Sequence, residues 1–240
     1  MNLVLFSSFY DFKNVRDFIQ KKSKSANPKI CYIPSFTSFH GLQATGIYHS
    51  LEKMGFSPDN ISMFDVGYLF DKTKIDSLKN NDVIILGGGN TFLFQWLLRR
   101  NGVMGILSEF AQKGGIIIGE SAGSIMMSET VEIARFADED IVGSDNTDGL
   151  GIVDFEMKPH FGSWMKRFSD FVEYSKNSNQ DLYCLFDGGY IIVSDDTIIP
   201  YGNFILLRKG EMVDFNISNE EQPRCMPVRK RYINGFGELV

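Results

Sequence analysis

A serine framed by small residues, Gly119-Glu120-Ser121-Ala122-Gly123, follows directly on the apolar run Gly-Gly-Ile-Ile-Ile at 114–118. That order reads strand, tight turn, helix. It is the pattern of a nucleophile elbow, in which a strained turn lifts a hydroxyl clear of a sheet. A Cβ at either flank would crowd so sharp a bend, which accounts for the glycines. The chemistry this implies is hydrolysis through a serine nucleophile. A serine hydroxyl is weak until a base takes its proton and donors receive the oxyanion. The chain must therefore also hold a base, an orienting acid and oxyanion donors.

Three histidines are available. His40 and His49 lie upstream, in a polar loop and on a helical stretch. His160, in Lys158-Pro159-His160-Phe161-Gly162, lies between a strand and a helix, where an active-site loop belongs, and is the expected base. Gly87-Gly88-Gly89-Asn90 ends another strand. Bare N–H groups at Gly88 or Gly89, together with the N–H of Ala122, would form an oxyanion hole. Asn90 also suits a helix N-cap. For the acid, the run Asp138-Glu139-Asp140 lies between serine and histidine, and spacing alone does not choose among its members. Glu120, beside the nucleophile, is a further acid in the pocket region. An α/β-hydrolase esterase would place its histidine after the last strands. Here several strands follow His160, which disfavours that architecture.

These residues need a scaffold with strand ends gathered along one edge. Apolar, β-branched runs recur at 3–6, 30–33, 61–64, 83–86 and 116–118. Helical periodicity separates them, most clearly at 12–23, 42–54 and 92–101. Near-continuous apolar strands alternating with helices predict an α/β, doubly wound, mostly parallel sheet sandwiched by helices. Ligands bind beyond the carboxyl ends of such strands, where Ser121 and Gly87–Gly89 fall. The stretch 128–151 is acidic and polar and reads as a long loop with a short hairpin. A strand at 152–157 and a helix at 163–175 follow. Four strand-like runs at 182–186, 190–194, 197–201 and 204–208, with turn chemistry at Asp187-Gly188-Gly189, predict a C-terminal antiparallel β meander. No linker or repeat divides the chain, so residues 1–240 read as a single domain.

Composition narrows the functional classes. With 43% hydrophobic and 22% charged residues the chain is an ordinary globular sequence. Its net charge of −6 lacks the basic stripe of a nucleic-acid binder. Cys31, Cys184 and Cys225 show no metal-ligand spacing and read as buried free thiols in a reducing compartment. No run approaches the roughly 20 apolar residues that span a bilayer, and the apolar N-terminus lacks a basic leader. The expectation is a cytoplasmic protein with no metal or cofactor and no nucleic-acid or membrane partner. A homodimer is compatible with the sequence.

Three motifs in order carry a resemblance: 83–92 (VIILGGGNTF), Gly119-x-Ser121-Ala122-Gly123, and Pro159-His160-Phe161. Together they resemble peptidase E and its cyanophycinase-like relatives. The resemblance implies a fold similar to class I glutamine amidotransferases, with serine replacing the nucleophilic cysteine, and hydrolysis of dipeptides with N-terminal aspartate. It implies Ser121 as nucleophile, His160 as base, and Gly89 and Ala122 as oxyanion donors. It draws the acid from the intervening loop, Asp138 first and Glu139 second. Gly88, Asn90 and Thr91 would shape the substrate pocket beside the oxyanion hole. Glu120 replaces an aromatic residue of the family. A carboxylate there would repel an aspartate side chain and favour a cation, either a free α-amine or a basic side chain. The expected function is a serine peptidase acting on dipeptides or short peptides through an acyl-enzyme. Two other readings use the same motifs: a catalytically silent binding protein on this fold, and a small-acyl esterase.

Overall fold

The computed structural model describes residues 1–10, 13–23, 25–35, 40–143, 145–195, 197–217 and 231–232. Each apolar run of the first half is a parallel strand. β1 (Asn2–Phe6), β2 (Ile30–Ile33), β3 (Ile61–Met63), β4 (Val83–Leu86) and β5 (Ile116–Glu120) lie in the order β1-β5-β4-β2-β3. The connecting helices are α1 (Lys13–Lys22), α2 (His40–Lys53), α3 (Thr91–Arg100) and α4 (Val103–Gln112). β5 shows why the strands are apolar throughout. Ile117 packs into one buried cluster with Phe92, Leu107 and Met126, whereas Ile116 and Ile118 pack into the other with Val15, Tyr32 and Ile47. Burying both faces stabilises the sheet by about 1.5–3 kcal/mol for each large aliphatic side chain removed from water.

Apart from one parallel pair, the C-terminal strands are antiparallel to their neighbours, as expected, but two sheets share them. β8 (Tyr190–Ser194) and β9 (Thr197–Tyr201) extend the main sheet beyond β1, and β12 (Arg231–Tyr232) pairs with β9. A second sheet has the order β11-β10-β7-β6, from β6 (Phe155–Lys158), β7 (Asp181–Leu185), β10 (Phe204–Arg208) and β11 (Glu211–Asn216). Within it β6 and β7 are parallel, joined by α6 (Phe168–Asn177). The turn at 187–189 is therefore a crossing from one sheet to the other, not a hairpin. The expected helix at 163–175 is a 3-10 stretch over Phe161–Arg167 running into α6. The expected strand at 152–157 is β6, starting three residues later. The loop 128–151 carries a 3-10 turn at Glu132–Phe136 and a bridge between Thr130 and Asp148. Among the described residues no helix is long and apolar enough to cross a membrane. Cys31 and Cys184 are buried free thiols. Burial pushes Cys31 up to about 11 and Cys184 higher still, which leaves both as thiols. Cys225 lies outside the described residues.

Candidate active site

The elbow is built at the end of β5. Ser121 has φ 49° and ψ −108°, a strained backbone for a residue with a side chain, and the four-residue helix α5 (Ala122–Ile125) begins immediately after it. The strain is held from β1: the Ser121 N–H donates to the Phe6 carbonyl at 3.0 Å, and Ser124 Oγ donates to the same oxygen at 2.9 Å. α5 crosses so close to β4 that a Cβ on Gly123 would overlap the Leu86 carbonyl, so only glycine fits there.

His160 Nε2 stands 2.9 Å from Ser121 Oγ, and His160 Nδ1 stands 2.6 Å from Asp187 Oδ1. His160 leaves β6 and Asp187 leaves β7, and these strands are parallel neighbours with Lys158 beside Cys184. Both side chains therefore emerge from the same edge. His160 is itself left-handed, with φ 55° and ψ 31°. Its backbone N–H donates to Ser7 Oγ at 2.8 Å, and Ser7 Oγ donates to Asp187 Oδ1 at 2.9 Å. Ser8 Oγ donates to the same oxygen at 2.7 Å. Partial burial pushes the Asp187 carboxyl up, but donation from Ser8, the charge and hydrogen bond of His160, and donation from Ser7 outweigh it. The carboxyl is held below the usual range.

The acid expected from the sequence, Asp138, is not on His160. Its Oδ2 accepts the backbone N–H of Thr91 at 2.8 Å, at the N-terminus of α3. Glu139 is not there either; its backbone carbonyl accepts from Asn90 Nδ2 at 2.8 Å. The positive end of α3 has claimed this loop, a favourable place for a carboxylate. Asn90 caps α3 by accepting the Leu93 N–H at 2.9 Å, and Thr91 is buried. These two residues shape the helix end rather than line the pocket. Sequence reasoning put Ser7, Ser8 and Ser35 at strand ends but gave them no role. The available signal was that each directly follows a parallel strand or lies two residues beyond one, on the ligand-binding edge.

The glycine loop after β4 faces the nucleophile. A Cβ on Gly88 would come within 3.4 Å of Ser121 Cβ. Gly89 has φ 138°, and a side chain there would run into the Ser35 hydroxyl. Ser35 is buried and its Oγ donates to the Gly88 carbonyl. The peptide unit is planar and trans, so fixing the Gly88 carbonyl turns the Gly89 N–H to the opposite side. Among the described residues neither the Gly89 nor the Ala122 N–H has a hydrogen-bond acceptor. A cavity of about 420 Å³ opens over the nucleophile, lined by Phe9, Ile47, Gly88, Gly89, Glu120, Ser121 and His160 among others. Glu120 Oε1 accepts the Phe9 N–H at 3.3 Å, and the carboxylate lies against the Gly88 N–H. Burial raises its pKa, and these N–H groups and His160 only partly offset the shift. A hydroxyl on a base, an acid on that base, and two unpaired N–H groups can together support acyl transfer.

The chain is 29% identical over 169 residues to an uncharacterised peptidase of Listeria monocytogenes, covering 68% of this chain and 78% of that protein. It is 26% identical over 223 residues to a peptidase E of Nostoc sp., covering 85% of this chain and 84% of that protein. The fold matches a crystal structure of a peptidase from an acI-B1 Actinobacterium with a TM-score of 0.63 at 16% identity, covering 94% and 96% of the two chains. A Listeria monocytogenes crystal structure matches with a TM-score of 0.67 at 23% identity, covering 83% of this chain and 96% of that one. The model of peptidase family S51 matches residues 3–200. The chain belongs to peptidase family S51.

Proposed function

We propose that the chain is a serine peptidase cleaving dipeptides or short peptides, with Ser121 as nucleophile, His160 as general base and acid, and Asp187 as the orienting carboxylate. The observation that carries this reading is the continuous relay from Ser121 Oγ through His160 to Asp187, at 2.9 and 2.6 Å. Ser121 Oγ attacks the scissile carbonyl while its proton passes to His160 Nε2. Asp187 stays ionised and stabilises the imidazolium. The Gly89 and Ala122 N–H groups receive the oxyanion, each worth about 3–4 kcal/mol of transition-state stabilisation. Collapse of the tetrahedral species breaks the C–N bond, and His160 gives its proton to the leaving amine. Water, deprotonated by the same histidine, then hydrolyses the acyl-enzyme.

A fluorophosphonate probe and a dipeptide panel test the reading together. Ser121 is expected to label in the wild type, not in Ser121→Ala, and at least 10²-fold more slowly in His160→Ala. Short acyl esters in the same assay separate a peptidase from an esterase. A well-folded wild type that neither labels nor cleaves a peptide would overturn the proposal and favour a silent binding protein.

A further inference from the structure

We propose that the cavity beside Ser121 receives a cationic group carried next to the scissile carbonyl, and that Glu120 is the residue that selects it. The proposal rests on the peptidase reading of the same site and names its substrate class. The placement of Glu120 follows from strand alternation. Ile116, Ile118 and Glu120 share one face of β5, so the carboxylate sits on the side of Tyr32 and α2, opposite α5. The cavity there is walled by Phe9, Gly46, Ile47 and Ser50. Among its described lining residues Glu120 is the only carboxylate, and none is lysine or arginine.

Among the described residues the partners of Glu120 are the neutral N–H groups of Phe9 and Gly88, together with the field of His160. The Tyr32 hydroxyl, buried under Gly87, has no hydrogen-bond partner among the described residues and gives Glu120 nothing. A half-buried carboxylate without a counter-cation is electrostatically incomplete, and a ligand that brings the cation completes it. The same field works against an acidic substituent at that position. The ligand chemistry is an ammonium or guanidinium close to the carbonyl under attack. It can come from the free α-amine of the acyl residue or from a lysine or arginine side chain on it.

The test uses the full-length protein and Xaa-Leu dipeptides with Xaa Lys, Arg, Leu or Asp, each free and N-acetylated. kcat/KM is measured for wild type and Glu120→Gln. Wild type is expected to prefer a cationic substrate over Asp-Leu by at least about 10-fold, with the preference shrinking to within about 3-fold in Glu120→Gln. If the loss on N-acetylation is what shrinks, the cation is the α-amine; if the Lys/Arg preference shrinks, it is the side chain. A second measurement needs no variant. Short alkylamines should inhibit the wild type competitively at concentrations at least about 10-fold below those of the matching carboxylic acids. A wild type that ranks Asp-Leu first, a Glu120→Gln in which neither the N-acetylation loss nor the Lys/Arg preference shrinks, or amines no better than acids would each overturn the inference while leaving the peptidase reading standing. No cleavage and no labelling of Ser121 in wild type would sink both.

Discussion

The hydroxyl of Ser7 accepts the backbone N–H of His160 at 2.8 Å and donates to the Asp187 oxygen that faces His160 Nδ1. The three residues thus form a closed circuit of hydrogen bonds. Ser7 is fully buried at the end of β1, one of the two central strands of the main sheet, while His160 and Asp187 come from the second sheet. One hydroxyl therefore ties the strained backbone of His160 and the carboxylate beside it to the strand next to the elbow. Ser7→Ala leaves a buried N–H without its acceptor, a cost of about 1–3 kcal/mol. We expect kcat to fall about 10- to 100-fold with KM nearly unchanged, because orientation rather than binding is lost. Ser8→Ala removes one donor from Asp187 but leaves the His160 backbone held, so its loss should be several-fold smaller. Equal kcat values for the two variants would show that the circuit carries nothing.

Asp187 and Asp138 are separated by a pair of substitutions. Asp187→Asn should lower kcat on the order of 10³–10⁴-fold, since the amide no longer fixes the histidine tautomer. Asp138→Ala should leave kcat within about threefold and instead lower stability by about 0.5–2 kcal/mol through the lost acceptor at α3. Stability against pH gives an independent check. The Asp187 carboxyl titrates lower in the fold than its ordinary value of 3.8. Its contribution is therefore complete above that value and is lost as pH falls through the lower folded one. Acid unfolding of Asp187→Asn should lack that component, which urea titrations between pH 5 and pH 2 would reveal.

The Ser121 elbow, the glycine loop and His160 were legible because each rests on local chemistry: a backbone too tight for a Cβ, or a rare titratable residue at a strand end. The carboxylate that the structure places on His160 was not, and the reason is topological. Asp187 looks like turn chemistry beside Gly188 and Gly189, and its meaning depends on β6 and β7 being parallel neighbours. Sequence pattern reads four successive short strands as a meander, and nothing local reveals that β7 and β10 belong to one sheet while β8 and β9 belong to the other. Asp138 misled for the opposite reason. A carboxylate near the start of a helix has a strong local use, and here that use prevailed. Helix α4 was not among the clearest helical stretches of the sequence; the left-handed Gly102 turns the chain from α3 into it.

Ser35 supplies a prediction about the proposed oxyanion hole. Its hydroxyl holds the Gly88 carbonyl and so fixes the direction of the Gly89 N–H. Ser35→Ala should free that peptide to rotate and lower kcat about 10-fold, less than the 10²–10³ lost when a donor is removed outright. KM for the substrate should hardly move. Affinity for a peptide aldehyde, which forms a tetrahedral adduct on Ser121, should fall in parallel with kcat, and Ser35→Thr should restore both. A Ser35→Ala enzyme with full aldehyde affinity would separate Ser35 from the oxyanion hole.

Lys158 is a buried cation two residues before His160. Its Nζ donates to the Pro159 carbonyl at 3.0 Å and lies over the Trp164 ring, 4.9 Å from its centroid. Burial lowers its pKa to about 8, against the weaker opposing influences of Cys184, Asp138 and Asp187. The unfolded chain holds this proton up to an ordinary value of 10.5. Between about 8 and 10.5 the unfolded state therefore binds more protons, and stability should rise with pH across that window. The gap amounts to about 3 kcal/mol of penalty at neutral pH, removed by the time the solution passes pH 10.5. Lys158→Met keeps the contact with Trp164, removes the charge and leaves the Pro159 carbonyl without its donor, a cost that does not vary with pH. Urea unfolding at pH 7, 8, 9 and 10 on both proteins isolates the lysine, because the other titrating groups cancel in the difference. Wild type should gain stability relative to Lys158→Met as pH rises, by about 2–3 kcal/mol over the series. A constant difference would mean that Lys158 is solvated or paired well enough to keep its ordinary pKa.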